Sequence, residues 1–189
     1  MCITSDLPDV SEVNRARVEA LCLALESGEY PQASGALRKL AMVGTATVGD
    51  TELVAPEVMG YCCLGVGCLV AEKAVPNIMA PQRGAVGIID PWRKGTLPEE
   101  VREWFGFDSS DPVLLVLASD CPEKYRYQVD GLNGTEWTPD QGEAPATRVE
   151  ASSANDTWHL DFPTIAAAFR RTYLTPIEPD AEEAGPQAA

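Results

Sequence analysis

Few residues in this chain are of a type that does chemistry, and they are scattered. There is one histidine, His159, and there are six cysteines, at positions 2, 22, 62, 63, 68 and 121. A cysteine nucleophile needs a general base within hydrogen-bond reach. The arrangement to consider is therefore Cys62, Cys63 or Cys121 with His159, its imidazole oriented by Asp156 or Asp161. Nothing in the spacing brings these groups together. A lone histidine beside Trp158, just before a helix, reads more simply as a loop or packing residue.

Cys62, Cys63 and Cys68 also raise zinc, whose preferred ligands are thiolates. Adjacent helical cysteines point about 100° apart, and the interval from Cys63 to Cys68 is a poor match to a ligand-bearing turn. Small apolar core residues are the plainer account, so neither a metal nor another cofactor is expected. If a helix begins near Tyr61, an exposed thiol at its N-terminus would be acidic and reactive. Gly65-x-Gly67 has Val70 where a dinucleotide loop needs its third glycine, and no clear strand precedes it. No P-loop pattern occurs. Asn133-Gly134-Thr135 reads as turn chemistry, and Glu99/Glu100 and Glu182/Glu183 as solvated surface.

The elements that must position these residues follow from pattern. Asp9, with Glu12 three residues on, is a capping signal for a helix whose Val18, Leu21, Cys22 and Leu25 share one face. Gly28 ends it, and Arg15 and Glu19 stand four apart on its polar side. Gly49-Asp50 between β-branched runs predicts a hairpin with a two-residue turn. Between Met59 and Ala71 the chain is apolar on all sides, which predicts a buried central element. There Gly60, Gly65 and Gly67 mark either close packing or a break.

Ala85 to Ile89 reads as a short strand. Thr96 as cap, Pro98 in the first turn and Gly106 as stop bound a helix with Val101, Trp104 and Phe105 on its buried face. VLLVLAS reads as a buried strand. Tyr125, Tyr127 and Val129 alternate with polar residues, predicting a half-buried hairpin through Thr138. Residues 139–150 read as a mobile loop. Asp161 and Pro163 open a last helix with Ile165, Phe169 and Tyr173 in one stripe. The expected architecture is α+β, with three or four helices packed on a small, mainly antiparallel sheet. Residues 1–175 form a single globular domain and 176–189 a disordered acidic tail.

Charge narrows the function classes. With 29 acidic against 14 basic side chains the net charge is -15, which repels phosphate backbones and anionic headgroups. Direct nucleic-acid or membrane-surface binding is disfavoured. The acids are spread along the chain, which suits solubility as well as competition with DNA for a basic partner. No stretch reaches the roughly 18 to 20 continuous apolar residues of a bilayer span. MCITSDLPDV lacks the basic flank and apolar core of a secretory signal, so the chain is expected to stay in the cytosol with reduced thiols.

Four segments then stand out together: ALESGEYPQASGALRKL, YCCLGVGCLVAE, LPEEVREWFGF and ANDTWHLDFPTIAAAFRRTYL. In this order the chain resembles a group of small accessory proteins of tailed phages, of the kind that infect actinobacteria, over roughly residues 19 to 174. YCCLGV is the most specific string. The chain departs from the group at Gly67, where a larger apolar residue is usual, and at Ala154, where leucine commonly precedes Asn-Asp. It also carries long insertions between the last two motifs. The resemblance implies a phage or prophage origin and action in the host cytoplasm rather than a reaction.

Polar residues at the ends of the packed helices serve as caps and turn formers, and they can also line a pocket. The residues for a pocket are Tyr30, Gln32, Arg38, Tyr61, Asn155 and Asp156. The leading expectation is a non-enzymatic accessory protein that binds a host factor, countering host defence or altering host physiology. A second is sequestration of a small signalling nucleotide, which would need local base such as Arg38/Lys39 or Arg170/Arg171. A third is a cysteine-dependent hydrolase or transferase that relies on His159.

Overall fold

In the computed structural model, which describes residues 13–48, 51–84, 87–126 and 146–175, helix α1 spans Arg15–Glu26 and is capped by Asn14 rather than Asp9. The Asn14 side chain accepts from the Arg17 amide at 3.1 Å. Asp9 and Glu12 lie outside the described residues. Val18, Leu21, Cys22 and Leu25 are buried, as their spacing predicts. The expected Arg15–Glu19 pair is not made. Glu19 instead takes the guanidinium of Arg170 at 3.0 Å, and Arg15 donates to the carbonyls of Tyr173, at 3.1 Å, and Leu174. Both ends of the chain's core are thereby tied together, which a local i,i+4 pair would not do.

Strands β1 (Arg38–Val48) and β2 (Thr51–Tyr61) form the expected antiparallel hairpin, Val48 opposite Thr51. Both strands run further than the β-branched stretches suggest. Met59 therefore belongs to β2 and is 53% exposed, which corrects its placement at the start of the buried element. The pairing passes from Lys39↔Gly60 to Leu40↔Val58, so Met59 is the extra residue of a bulge, and its side chain is released from the alternation.

Helix α2 (Cys63–Ala74) is the central element, buried from Cys63 through Cys68 and again at Ala71. Its glycines mark close packing rather than a break. At Gly65 the backbone of Leu37 occupies the place a β-carbon would take, and at Gly60 the Pro31 carbonyl does the same. The short strands β3 (Gln82–Gly84) and β4 (Gly87–Ile89) pair antiparallel, and a 3-10 turn at Pro91–Arg93 follows. Helix α3 spans Glu99–Phe105. Its N-cap is Pro98, with no side-chain cap, so Thr96 does not fill that role, while Gly106 ends the helix at φ 77. Val101 and Phe105 are buried, and Trp104 is half-buried against them.

Strand β5 (Val113–Leu117) is as expected, but its partner β6 (Ala146–Glu150) overturns the loop reading of 146–150. Thr147 and Val149 alternate inward there. Tyr125 sits in a helical turn, α4 (Glu123–Arg126), not in a strand. Its ring stacks on Trp158 at 5.4 Å, and its hydroxyl donates to the Thr157 carbonyl at 2.7 Å. The rest of the expected hairpin, from Tyr127 to Thr138, lies outside the described residues, as do 139–145 and the tail 176–189.

Helix α5 (Ala151–Asp156) follows β6 directly, with Asp111 accepting from the Ser152 amide at 2.9 Å and so capping it from another segment. Helix α6 (Phe162–Phe169) is capped by Asp161 and runs on into a π-helical turn at Arg170–Leu174, with Ile165, Phe169 and Tyr173 buried. That turn covers the free edge of β5. The Leu115 amide donates to Thr172 Oγ1 at 2.8 Å, the Leu115 carbonyl accepts from Arg171 at 2.7 Å, and the Val113 carbonyl accepts from Tyr173 at 3.0 Å.

The class is α+β. Among the described residues its helices are shorter and more numerous than expected, and the strands form three separate antiparallel pairs rather than one sheet. One cluster of buried apolar side chains reaches from Val13 to Tyr173. No helix among the described residues is long and apolar enough to cross a membrane.

Candidate functional site

The six residues read as pocket formers converge on the base of the β1–β2 hairpin, but they divide between its two faces. Side chains alternate along a strand, so the opposed pair Arg38 and Tyr61 shares one face and the pair Lys39 and Gly60 the other.

The first face carries an aromatic row. Tyr30 meets Tyr61 edge to face at 6.1 Å, and Tyr61 meets Trp92 at 6.2 Å. Two cations close the row. Lys73 donates to the Tyr30 hydroxyl at 2.7 Å, and the Arg38 guanidinium lies 4.7 Å from the centre of the Trp92 ring. Arg38 Nε is buried without a hydrogen-bond partner. One residue pair further along this face stand Leu40 and Val58, directly opposite each other and both exposed.

The second face is a polar clamp. Residues 31–33 run beside the end of β2, with the Tyr61 amide donating to the Pro31 carbonyl at 2.9 Å and the Ala33 amide to the Tyr61 carbonyl at 2.8 Å. Gln32 is thereby held out toward α5. Its Nε2 donates to Asn155 Oδ1 at 3.0 Å and to the Leu160 carbonyl at 2.7 Å. Asn155 is buried, and its Nδ2 donates both to the Ala33 carbonyl at 2.8 Å and to Asp156 Oδ1 at 2.6 Å. Asp156 Oδ2 accepts the Gly35 amide at 2.9 Å. Every donor of Asn155 is used internally, so this residue acts as a strap between two segments.

An open groove of about 470 Å³ lies against the clamp, with Lys39 and Met59 on the hairpin side and His159 and Asp161 on the other. His159 turns the chain between α5 and α6 and is left-handed, with φ 53. Its neighbours Trp158 and Leu160 are buried, while His159 itself is exposed. Asp161 caps α6, its Oδ1 accepting from the Thr164 amide at 3.0 Å.

The cysteine arrangement is not assembled. Cys62 is the N-cap of α2, its Sγ accepting from the Gly65 amide at 3.4 Å, but it is buried. Burial pushes its thiol up to about 11, so the exposure on which an acidic thiol at this helix start depended is not met. Cys63 donates to the Ala151 carbonyl at 3.4 Å, and burial holds it well above the ordinary thiol range. Cys121 donates to the Leu117 carbonyl at 3.3 Å. Among the described residues no hydrogen bond joins these thiols to His159, and both proposed orienting acids are engaged elsewhere. No group of three His, Cys, Asp or Glu side chains among the described residues could hold a metal ion.

The alternative cations are also accounted for. Arg170 is held by Glu19 and Glu26, and Arg171 by the Leu115 carbonyl and, at 3.2 Å, by Asp120. Sequence reasoning did not single out Ser34, Met59, Leu40 or Val58. The bulge that exposes Met59 interrupts the alternation by which such a surface is read. No family model, no curated protein and no solved structure matches this chain.

Proposed function

We propose that this chain is a phage-encoded accessory protein, without a catalytic role, that binds a host protein in the host cytoplasm and thereby counters a defence or alters host physiology. The observation that supports this reading is the apolar surface at the hairpin base. Leu40 is 38% exposed and Val58 directly opposite it is 42% exposed, whereas Met59, the bulge residue, lines the groove on the other face. Single exposed apolar residues need no explanation, but a directly opposed exposed pair that continues the face of the aromatic row suits an interface. A net charge of -15 favours a partner with a basic rim, whose association weakens as salt is raised. The experiment is affinity purification from expressing or infected cells, comparing the natural chain with a Leu40→Asp, Val58→Asp variant. A stoichiometric protein partner lost in the variant is the expected result.

A second reading, capture of a small signalling nucleotide, is favoured by the groove. Lys39 lines it, whereas Arg170 and Arg171 are committed to ion pairs. Thermal stabilisation by added nucleotide separates it from the first, since only a ligand of the folded state raises the unfolding temperature. The cysteine-dependent hydrolase or transferase is disfavoured by thiols held protonated through burial. Loss of any hydrolytic activity on His159→Ala would restore it.

A further inference from the structure

We infer that the groove beside the clamp is a binding site for a small phosphate ester, with the phosphoryl group held by Lys39, His159 and Ser34. A volume of about 470 Å³ is of the size that takes small molecules. Some polar groups of the groove are spent on the fold and others are not. The amide groups of Asn155 and the Nε2 of Gln32 are consumed by the clamp, and Asp161 caps α6. Lys39, Ser34 and His159 line the same groove and make no side-chain hydrogen bond or ion pair among the described residues. Three side chains able to donate, facing few free acceptors, call for a ligand rich in acceptor oxygens, and a phosphoryl group offers three. The charge of Asp161 is offset by the amides of the helix it caps, and Lys39 makes no ion pair among the described residues. Met59 and Ala33 supply an apolar wall for the organic part of the ester.

A second observation falls on the same residue. The turn between α5 and α6 requires φ 53 at position 159, a left-handed conformation that glycine adopts freely and histidine less readily. With Trp158 and Leu160 both buried, the turn is fixed by packing, and glycine would serve it better. The imidazole at this left-handed position is exposed on the groove wall, where a ligand can meet it.

This site rests on the nucleotide reading, whose groove and Lys39 it shares, and it does not depend on the host-protein reading. Its test is titration of the full chain with AMP, inorganic phosphate and adenosine, followed by calorimetry and by the imidazole resonances of the single histidine. AMP should bind saturably and shift those resonances, phosphate should bind more weakly at the same place, and adenosine should not bind. Lys39→Ala, at an exposed position, and His159→Gly should each weaken AMP by about tenfold or more, while His159→Gly unfolds at an equal or higher temperature. Absence of saturable AMP and phosphate binding would overturn the inference. So would AMP binding that both substitutions leave unchanged, or adenosine binding as well as AMP. AMP binding in vitro with no nucleotide recovered from cells supports the site and overturns the sequestration role.

Discussion

A β-carbon on Gly65 would lie 1.7 Å from the Leu37 carbonyl oxygen, so α2 and the segment entering β1 meet backbone to backbone. This contact fixes where the hairpin base sits relative to the core. Gly65→Ala should therefore destabilise by about 3 kcal/mol or more, the upper end of overpacking costs. Gly67 is the contrast, since a β-carbon there would meet Phe105 at an ordinary 3.5 Å. Gly67→Ala should be neutral or stabilising by up to about 1 kcal/mol, because alanine is the better helix former. Urea midpoints of the two variants check both.

The strap formed by Asn155 makes a second stability prediction. Removing its amide leaves the Ala33 carbonyl and one donor position of Gln32 without their partners. Asn155→Ala should cost about 2 kcal/mol, the scale of unsatisfied buried polar groups. His159→Gly, four residues on, should cost nothing, and chemical denaturation of the pair separates strap from groove wall.

The Arg170 cluster predicts an acid response. The hydrogen bond from Arg170 holds Glu26 below its ordinary carboxylate value of 4.5. A depressed folded-state value contributes stability that is present above the unfolded value and lost as pH falls through the folded one. The stability difference between the natural chain and Glu26→Gln should thus be largest near neutrality and shrink below about pH 4. Because Glu26 is largely exposed, that difference should not exceed about 1 kcal/mol. Denaturant midpoints as a function of pH measure it.

Thiol reactivity follows from burial. With Cys62 pushed from 9.0 to about 11, its thiolate fraction at pH 8 is about 100-fold below that of a free cysteine. Iodoacetamide should label Cys62 and Cys63 only after unfolding, as read by mass spectrometry of quenched samples. Rapid labelling of Cys62 in the native chain would return it to the list of nucleophiles.

What was legible in the sequence was local. The stripe Val18, Leu21, Cys22 and Leu25, the stop at Gly106 and the cap at Asp161 all depend on neighbours in the chain, whereas the turn at Gly49-Asp50 lies outside the described residues. The misses depend on distant partners. Residues 146–150 are a strand because β5, some thirty positions earlier, offers an edge. Glu19 ignores Arg15 because Arg170 reaches it from the other end of the chain. Helix α5 has too few residues to show a period, and its cap comes from Asp111. The site was legible only as a set of residues. That Tyr30, Arg38 and Tyr61 would face away from Gln32, Asn155 and Asp156 follows from the hairpin register, and the bulge at Met59 hides that register.

The most direct measurement of the central claim is capture of the tagged chain from host cells in three forms: natural, Leu40→Asp with Val58→Asp, and His159→Gly. The account predicts a stoichiometric protein partner with the natural chain and with His159→Gly, absent with the hairpin variant although that variant remains folded by circular dichroism. A partner retained by the folded hairpin variant, or no protein partner with any form, would contradict it.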